Sequence, residues 1–460
     1  MYQIDFNQPI HVHFIGIGGI SMSGLAEILL QEHFTISGSD AKESDITSLL
    51  KKLGAIITIG QKAENITKDI DLIVYTAAIH EDNPEFQAAL ASGKPMLTRA
   101  QLLGQIMDNY KYSVAVSGTH GKTTTTSMLS HIFLAAQVDP TISIGGMLDV
   151  IGGNIRVGQS EYFVTEACEY TNSYHAFQPQ VSIILNVDAD HLDFFSGIEE
   201  IIQSFRTFAQ KLKPEGTLII NGDMDCLPII IEDLNRNICT FGLTENCKYS
   251  ATNIRYDATG CATYTLMIDG TPITDIQLHV NGIHNVLNSL SVIAAAQLLH
   301  IDMDAIKAGL ATCGGAKRRF ETKGSFDGIT VVDDYAHHPT EIKATLTAAK
   351  QTDHNEIWCV FQPHTYTRTK ALLPDFAEAL HTADHIVLTK IYAAREVDTG
   401  EVSSQDIADI LQNQYHTDVV YLPEFDQVEA YLKKNCKKND LLITMGAGDV
   451  VNIGENLLKK

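Results

Sequence analysis

The run Val114-Ala115-Val116-Ser117-Gly118-Thr119-His120-Gly121-Lys122-Thr123-Thr124 holds the residues best suited to chemistry. An apolar stretch ends in Gly-x-x-Gly-Lys-Thr, and a helix-forming stretch follows. Backbone N–H groups over Gly118–Thr123 can cradle the phosphates of ATP. Lys122 can bridge the β and γ phosphates, and the Thr123 hydroxyl can ligate Mg²⁺. A full phosphate-loop pattern has a glycine five residues before Gly121. Here that position is Val116, so the loop is a shortened variant.

Two later segments put acids and an imidazole at strand ends. Glu166 ends the apolar run Tyr162–Thr165, and His191 and Asp193 follow the run Ile183–Leu185. Parallel sheets bind ligands at the carboxyl ends of their strands, so both segments are expected to face the phosphate loop. Glu166 and Thr123 suit a hard, oxygen-liganded Mg²⁺, and His191 can complete a second metal position. Taken singly, His191 also reads as a hydrogen-bonded loop histidine, and Glu166 as a buried, paired carboxylate.

A second glycine turn lies nearer the start. Gly16-Ile17-Gly18-Gly19-Ile20-Ser21 follows a strand and opens an apolar helix through Leu29, and Asp40 closes the next strand. Glycines let the backbone approach a phosphate, and the helix N-terminus faces its charge. The third glycine of the dinucleotide pattern falls on Ser21. A nicotinamide or flavin, another diphosphate ligand and a purely structural turn therefore all remain open, with the diphosphate favoured.

These residues need elements to hold them. Short apolar runs alternate with helical periodicity throughout, which predicts an α/β protein built on parallel sheets. Expected strands include Val12–Ile15, Leu72–Tyr75, Tyr112–Val116, Ile329–Val332, Ile357–Phe361, Ile386–Leu388 and Leu441–Thr444. Consecutive β-branched residues there suit strands covered on both faces. Within Tyr249–Val280, alternation broken at Gly260 and Asp269-Gly270 predicts antiparallel hairpins. The segment Leu102–Tyr110 reads as a link, and Cys313-Gly314-Gly315 as a hinge. Three blocks result, 1–107, 108–312 and 313–460.

Composition narrows the function. With 33 Lys and Arg against 56 Asp and Glu, the net charge is −23, which disfavours a nucleic-acid partner. The eight cysteines form no Cys-x-x-Cys pair, so neither a zinc knuckle nor a thioredoxin-like site is expected. No run reaches the roughly 18 apolar residues of a membrane span, and the start lacks a signal peptide. A cytoplasmic protein without membrane insertion is the expectation.

Taken together, the motifs Gly-Ile-Gly-Gly-x-x-Met-Ser-Gly, Gly-Thr-His-Gly-Lys-Thr-Thr, Asn-x-x-x-Asp-His, His-Asn-x-x-Asn, Arg-Arg-Phe-Glu and Asp-Asp-Tyr-Ala-His-His-Pro-Thr-Glu resemble the Mur ligases. The resemblance runs from Gly16 to Gly448. It implies an ATP-dependent amide-forming ligase of peptidoglycan synthesis, with UDP-N-acetylmuramate and L-alanine as substrates. It also implies a Rossmann-like UDP-sugar domain, a central P-loop domain with a parallel sheet plus a small antiparallel sheet, and a Rossmann-like amino-acid domain. A related ligase that adds a different amino acid or a peptide is the alternative. A monomer or homodimer is expected.

By resemblance, Gly16, Gly18, Gly19, Ser21 and Asp40 would meet the UDP group, and Asn154 and Arg156 the sugar or its phosphates. ATP would lie over Gly118, Thr119, His120, Gly121, Lys122, Thr123 and Thr124, with His284, Asn285 and Asn288 beside adenine. Arg319 would clamp the γ-phosphate, and Asp334 would meet the nucleotide from the other side. Tyr335, His337, His364 and Arg368 would form the alanine pocket, with His337 a candidate base and Arg368 a partner for the carboxylate.

The chain departs from the family at three places. Many members have Glu-Ala-Asp-Glu-Ser-Asp where this chain has Glu-Ala-Cys-Glu-Tyr-Thr from Glu166. Thr365 stands where many have Arg. Arg206 stands where sister ligases carbamylate a lysine, so it cannot complete a second metal site.

Overall fold

The computed structural model describes residues 3–76 and 78–459, which form three α/β units, each on its own sheet. The first has strands His11–Ile15, Thr35–Asp40, Ile56–Ile59, Leu72–Tyr75 and Met96–Thr98, all parallel, in the spatial order third, second, first, fourth, fifth. The order reverses beside the first strand, and the Gly16 turn leaves that strand's end. This is where a doubly wound sheet opens a crevice for a ligand.

The second unit is a ten-stranded sheet. Strand Tyr112–Ser117 runs parallel between Val181–Ile184 and Tyr162–Glu166. Its consecutive buried residues have helices on both faces, as the β-branched run requires. The predicted hairpins are the strands Tyr249–Tyr256, Cys261–Ile268 and Thr271–Asn281, and one residue pair, Phe241 with Tyr249, joins them to the parallel part. The third unit has six strands. All are parallel except Glu321–Phe326, which pairs antiparallel with Ile329–Asp334.

The first two units share one hydrophobic core, which runs from Val12 and Phe14 through Ile106 to Phe163, Tyr174 and Phe205. The segment read as a link is in fact helix Arg99–Asp108, capped by Thr98 and Gln101, with Leu102, Leu103, Ile106 and Met107 buried. Two glycines permit this close contact. A Cβ on Gly24 would sit 2.1 Å from Ile155 Cγ1, and one on Gly104 2.2 Å from the Ala176 carbonyl. Close packing has no room for either. The third unit has its own core on both faces of its sheet and meets the second through polar side chains, among them His120–Glu341 and Asp190–Arg368. Among the described residues, no helix is long and apolar enough to cross a membrane.

Candidate active site

Strand Tyr112–Ser117 delivers the phosphate loop, and helix Lys122–Ala135 leaves it. Gly118 and Gly121 take φ of 140° and 87°, values that side chains with a Cβ rarely adopt. Asn186 brackets the loop: its Oδ1 accepts from the His120 N–H at 2.8 Å, and its Nδ2 donates to the His120 carbonyl at 3.0 Å. Asn186 thus fixes the loop backbone on both sides of His120.

Lys122 Nζ donates to the Gly118 and Thr119 carbonyls at 2.6 and 3.0 Å. It also pairs with Glu169 Oε2 at 2.9 Å. Burial opposes its charge, but the Glu169 carboxylate outweighs burial and holds the ammonium above its ordinary range. Glu169 in turn is held below the usual carboxylate range, since Lys122 overcomes the burial that would raise it. Both directions agree on an ionised pair.

Glu166 Oε1 accepts from the Gly145 N–H at 2.7 Å, and the carboxylate also bonds the Thr123 hydroxyl. Burial raises its pKa despite these bonds and the nearby Lys122 and Arg319. A Cβ on Gly145 would lie 2.8 Å from Glu166 Oε2, and one on Gly146 3.2 Å from Thr123 Cγ2, so two glycines keep this hollow open. Its hard oxygen donors, hydroxyl and carboxylate, fit Mg²⁺. His191 has φ of 55°, and its Nε2 is 3.5 Å from Glu169 Oε1. Arg206 faces away and pairs with Glu232 at 2.5 Å.

Beside the loop a cavity of about 310 Å³ opens between the second and third units. His120, Gly121, Thr124 and the helix residues His284, Asn285 and Asn288 form one side. Arg319, Asp334 and Glu341 form the other. Asn285 Nδ2 donates to the Asn281 carbonyl, and Asn288 Nδ2 to Asn285 Oδ1. His284 Nδ1 is buried beside Gly282 without a hydrogen-bond partner. Asp334 accepts from the Phe320 and Ala336 N–H groups at 2.8 and 2.7 Å, which fixes the backbone beside Arg319.

A second cavity of about 350 Å³ is lined by Tyr170, Asp190, His191, His364, Arg368 and Glu396. Arg368 donates to Asp190 Oδ1 from Nη2 at 2.9 Å and from Nε at 3.2 Å. The His337 ring lies 5.8 Å from His364 and 5.5 Å from Tyr335. Burial lowers the His337 pKa to about 4, against the pull of Glu341, so the ring is neutral near pH 7.

A third cavity, of about 870 Å³, lies between the first two units. One end reaches Thr76, whose Cγ2 would be 2.7 Å from a Cβ on Gly16. The other reaches Thr171 and Asn172, which directly follow the Glu166–Tyr170 segment. Arg99 lines it, and burial lowers the pKa of its guanidinium. Gly18 donates its N–H to Asp40 Oδ2 at 2.9 Å. Ser21 is exposed on the first turn of a helix that has no side-chain cap. Arg156 is engaged by Asp139 at 2.5 Å and by the Pro140 carbonyl, and neither it nor Asn154 lines this cavity.

Four residues that sequence reasoning did not single out join the site: Arg99, Glu169, Asp188 and Glu341. Glu169, Asp188 and Glu341 lie inside motifs already noted, as the next acid after Glu166, the aspartate before Asp190-His191 and the glutamate after Pro339-Thr340. A further acid in each motif was the available signal.

Three family patterns match in succession. They are the Mur ligase family catalytic domain over residues 11–111, the Mur ligase middle domain over 116–296, and the Mur ligase glutamate ligase domain over 318–448. The chain is 58% identical to the UDP-N-acetylmuramate–L-alanine ligase of Agathobacter rectalis and 57% identical to that of Lachnospira eligens, over the whole of each chain. The crystal structure of the UDP-N-acetylmuramate–alanine ligase of Thermotoga maritima superposes with a TM-score of 0.77 at 28% identity, covering 98% of both chains. Such agreement spans all three units in order, and the chain belongs to the Mur ligase family.

Proposed function

We propose that the protein is an ATP-dependent ligase that joins L-alanine to the carboxylate of UDP-N-acetylmuramate in peptidoglycan synthesis. Likeness along the whole chain to relatives named for that reaction supports this. One observation at the site carries it. Lys122 touches Glu169, Glu169 touches His191, and beside His191 the Asp190–Arg368 pair lines a small cavity. A phosphate loop and a pocket that presents a guanidinium thus share one wall, as activation of an acid followed by capture of a small amino acid requires.

In this reading the UDP group lies over Gly16, Gly18, Gly19, Ser21 and Asp40. The rest of the substrate runs along the 870 Å³ cavity, past Arg99, toward Glu169. A buried guanidinium there suits a phosphate, whose oxygens match its forked donors. ATP occupies the 310 Å³ cavity, with Gly118–Thr124 around its phosphates and His284, Asn285 and Asn288 beside adenine. Thr123 and Glu166 would hold Mg²⁺, which when bound would neutralise phosphate charge, and His191 would join them from its place beside Glu169.

A carboxylate oxygen of the substrate attacks the γ-phosphorus, ADP leaves with the electrons of the broken P–O bond, and an acyl phosphate forms. Lys122 exchanges the Gly118 and Thr119 carbonyls for phosphate oxygens, and Arg319 approaches from the third unit. Both offset charge that builds on the moving group. The neutral amine of L-alanine, its carboxylate on Arg368, then attacks the acyl carbon. Its proton passes to a base and inorganic phosphate leaves. His337 is neutral and able to accept a proton, with the modest driving force of a weak base. Asp334 and Tyr335 position Arg319, whose guanidinium lies 5.2 Å from the Tyr335 ring centre. Closure of the third unit excludes the water that would hydrolyse the acyl phosphate.

We place the reaction in the cytoplasm, where ATP is supplied and the eight free cysteines stay reduced. Mass spectrometry of a reaction containing ATP, Mg²⁺, UDP-N-acetylmuramate and mixed amino acids tests the reading. The expected product carries one alanyl residue, and ¹⁸O from the substrate acid appears in the released phosphate. A different added residue, or unlabelled phosphate, refutes it.

A further inference from the structure

His120, Asp188 and His338 converge from three segments: the phosphate loop, the loop after strand Val181–Ile184, and the N-terminus of helix Pro339–Ala349. Each offers one ligand atom, and the three atoms lie within 4.8 Å of one another. His120 Nε2 is 3.3 Å from Asp188 Oδ2, and His338 Nδ1 is 3.8 Å from the same oxygen. A tetrahedral ion with bonds of roughly 2.0–2.1 Å holds neighbouring ligands about 3.3–3.4 Å apart. The His120–Asp188 contact already has that spacing, His338 must approach Asp188 by about 0.5 Å, and the two imidazoles, which lie within 4.8 Å, must close by up to about 1.5 Å.

The proton positions suit a metal. His338 Nε2 lies 3.1 Å from the Ala189 carbonyl, which can only accept, so Nε2 carries the hydrogen and Nδ1 presents its lone pair. The Thr340 N–H occupies that lone pair weakly, at 3.3 Å. His120 Nδ1 lies 3.2 Å from Glu341 Oε1 and donates to it, which turns Nε2 toward Asp188. A carbonyl behind one imidazole and a carboxylate behind the other are the outer partners that orient metal-bound histidines. The Thr340 hydroxyl also donates to Asp188 Oδ2 and holds that carboxylate in place.

We propose that His120, Asp188 and His338 form a binding site for a zinc-like transition-metal ion that clips the third unit to the phosphate loop. Two imidazoles and one carboxylate favour such an ion, whereas the hydroxyl–carboxylate pair Thr123–Glu166 favours Mg²⁺. The ion takes the place of the His120 Nε2 proton, which leaves to solvent, and water fills the fourth position. His120, Asp188, Thr340 and Glu341 also border the 310 Å³ cavity. An ion here ties both walls of that cavity together, so it traps the closed state and inhibits turnover. The inhibition rests on the ATP reading above; the binding does not.

Co²⁺ is the probe, added to the full-length protein in excess Mg²⁺. Wild type is expected to show the intense visible absorption of tetrahedral, imidazole-bound Co²⁺ at one equivalent, abolished by Zn²⁺. His338→Ala and, as a second variant that keeps a polar cap, His338→Gln should lose it, while His191→Ala should retain it. Absence of the band in wild type, its survival in both His338 variants, or its loss in His191→Ala overturns the site. The concentration of Zn²⁺ that halves turnover should rise at least tenfold in the His338 variants. An unchanged value overturns the clip. Failure of the alanine-ligation reading would leave the Co²⁺ band untouched.

Discussion

Lys122 and Glu169 form a buried ion pair, Nζ to Oε2 2.9 Å, at the root of the phosphate loop. The Glu169 side chain is 2% exposed and the Lys122 side chain 15%. A carboxylate so placed anchors the loop lysine, and its contact with His191 ties the lysine to the next loop.

Removing one member of a buried pair strands the other, at a cost of about 3–5 kcal/mol. Lys122→Ala is therefore expected to lower the melting temperature and abolish phosphate release while UDP-sugar binding persists. Lys122→Ala combined with Glu169→Gln should recover much of the melting temperature and none of the turnover. Thermal unfolding and a phosphate-release assay on both variants check this. A double variant no more stable than the single one would show that the pair is not what Lys122 contributes to the fold.

Arg99 makes the opposite trade. Its guanidinium is largely buried, no carboxylate pairs with it among the described residues, and it lines the 870 Å³ cavity. Such a charge costs free energy in the empty protein and returns it when an anion enters. Arg99→Gln should leave the melting temperature equal or higher and weaken UDP-N-acetylmuramate binding about 10-fold or more, a loss of roughly 1.5–3 kcal/mol. Calorimetric titration measures the second quantity. Unchanged affinity removes Arg99 from the substrate path.

The contrast between these residues explains what the chain discloses in one dimension. Lys122 and Thr123 are legible because the phosphate loop is local: strand, glycines, lysine and hydroxyl lie within a dozen residues. Strands Leu72–Tyr75, Ile357–Phe361 and Tyr112–Ser117 are legible because both their faces are buried, which leaves continuous apolar runs. Edge strands Ile56–Ile59 and Gly153–Arg156, and the interior but part-exposed strand Asn237–Phe241, carry no such signal, being short and incompletely covered. The contacts of Glu169, Asp188 and Glu341 depend on partners 47, 68 and 221 residues away, which only the folded topology brings close. Leu102–Tyr110 reads as a link because it falls between two glycine turns, yet its apolar face closes the core shared by two units.

Acid sensitivity should trace partly to His284. Burial, reinforced by Arg319 and opposed by Glu341, lowers its pKa to about 4 from an ordinary 6.5. The folded ring is then neutral where the unfolded ring is charged, so unfolding takes up a proton between those values. The stability is present above pH 6.5 and is lost as pH falls toward 4. His337 acts in the same direction. Asp334, raised by burial to about 6, acts in the other and offsets part of the loss. His284→Gln should therefore show a smaller fall in melting temperature between pH 7 and 5 than wild type. Parallel curves for the two proteins would rule His284 out as a contributor.

Arg368 decides whether the 350 Å³ cavity is the amino-acid pocket. In the free protein its Nη2 and Nε share Asp190 Oδ1, and Nη1 lies 3.4 Å from His364 Nδ1. The pair is ionic in a nearly buried setting, and Arg368 with His191 holds Asp190 below the usual carboxylate range against the pull of burial. An incoming alanine carboxylate would have to share the guanidinium with Asp190, and a charge-assisted bond of that kind contributes about 1.5–3 kcal/mol. Arg368→Ala should thus raise the KM for L-alanine roughly 10- to 100-fold, with the KM for ATP within about twofold, since His120, Asn285 and Arg319 line a different cavity. Loss of the charge also strands Asp190, so a lower melting temperature should accompany the change. Steady-state kinetics with each substrate varied in turn separates the outcomes: an unmoved alanine KM places the amino acid elsewhere, and an equal rise in both constants makes Arg368 a hinge contact between units and not a substrate ligand.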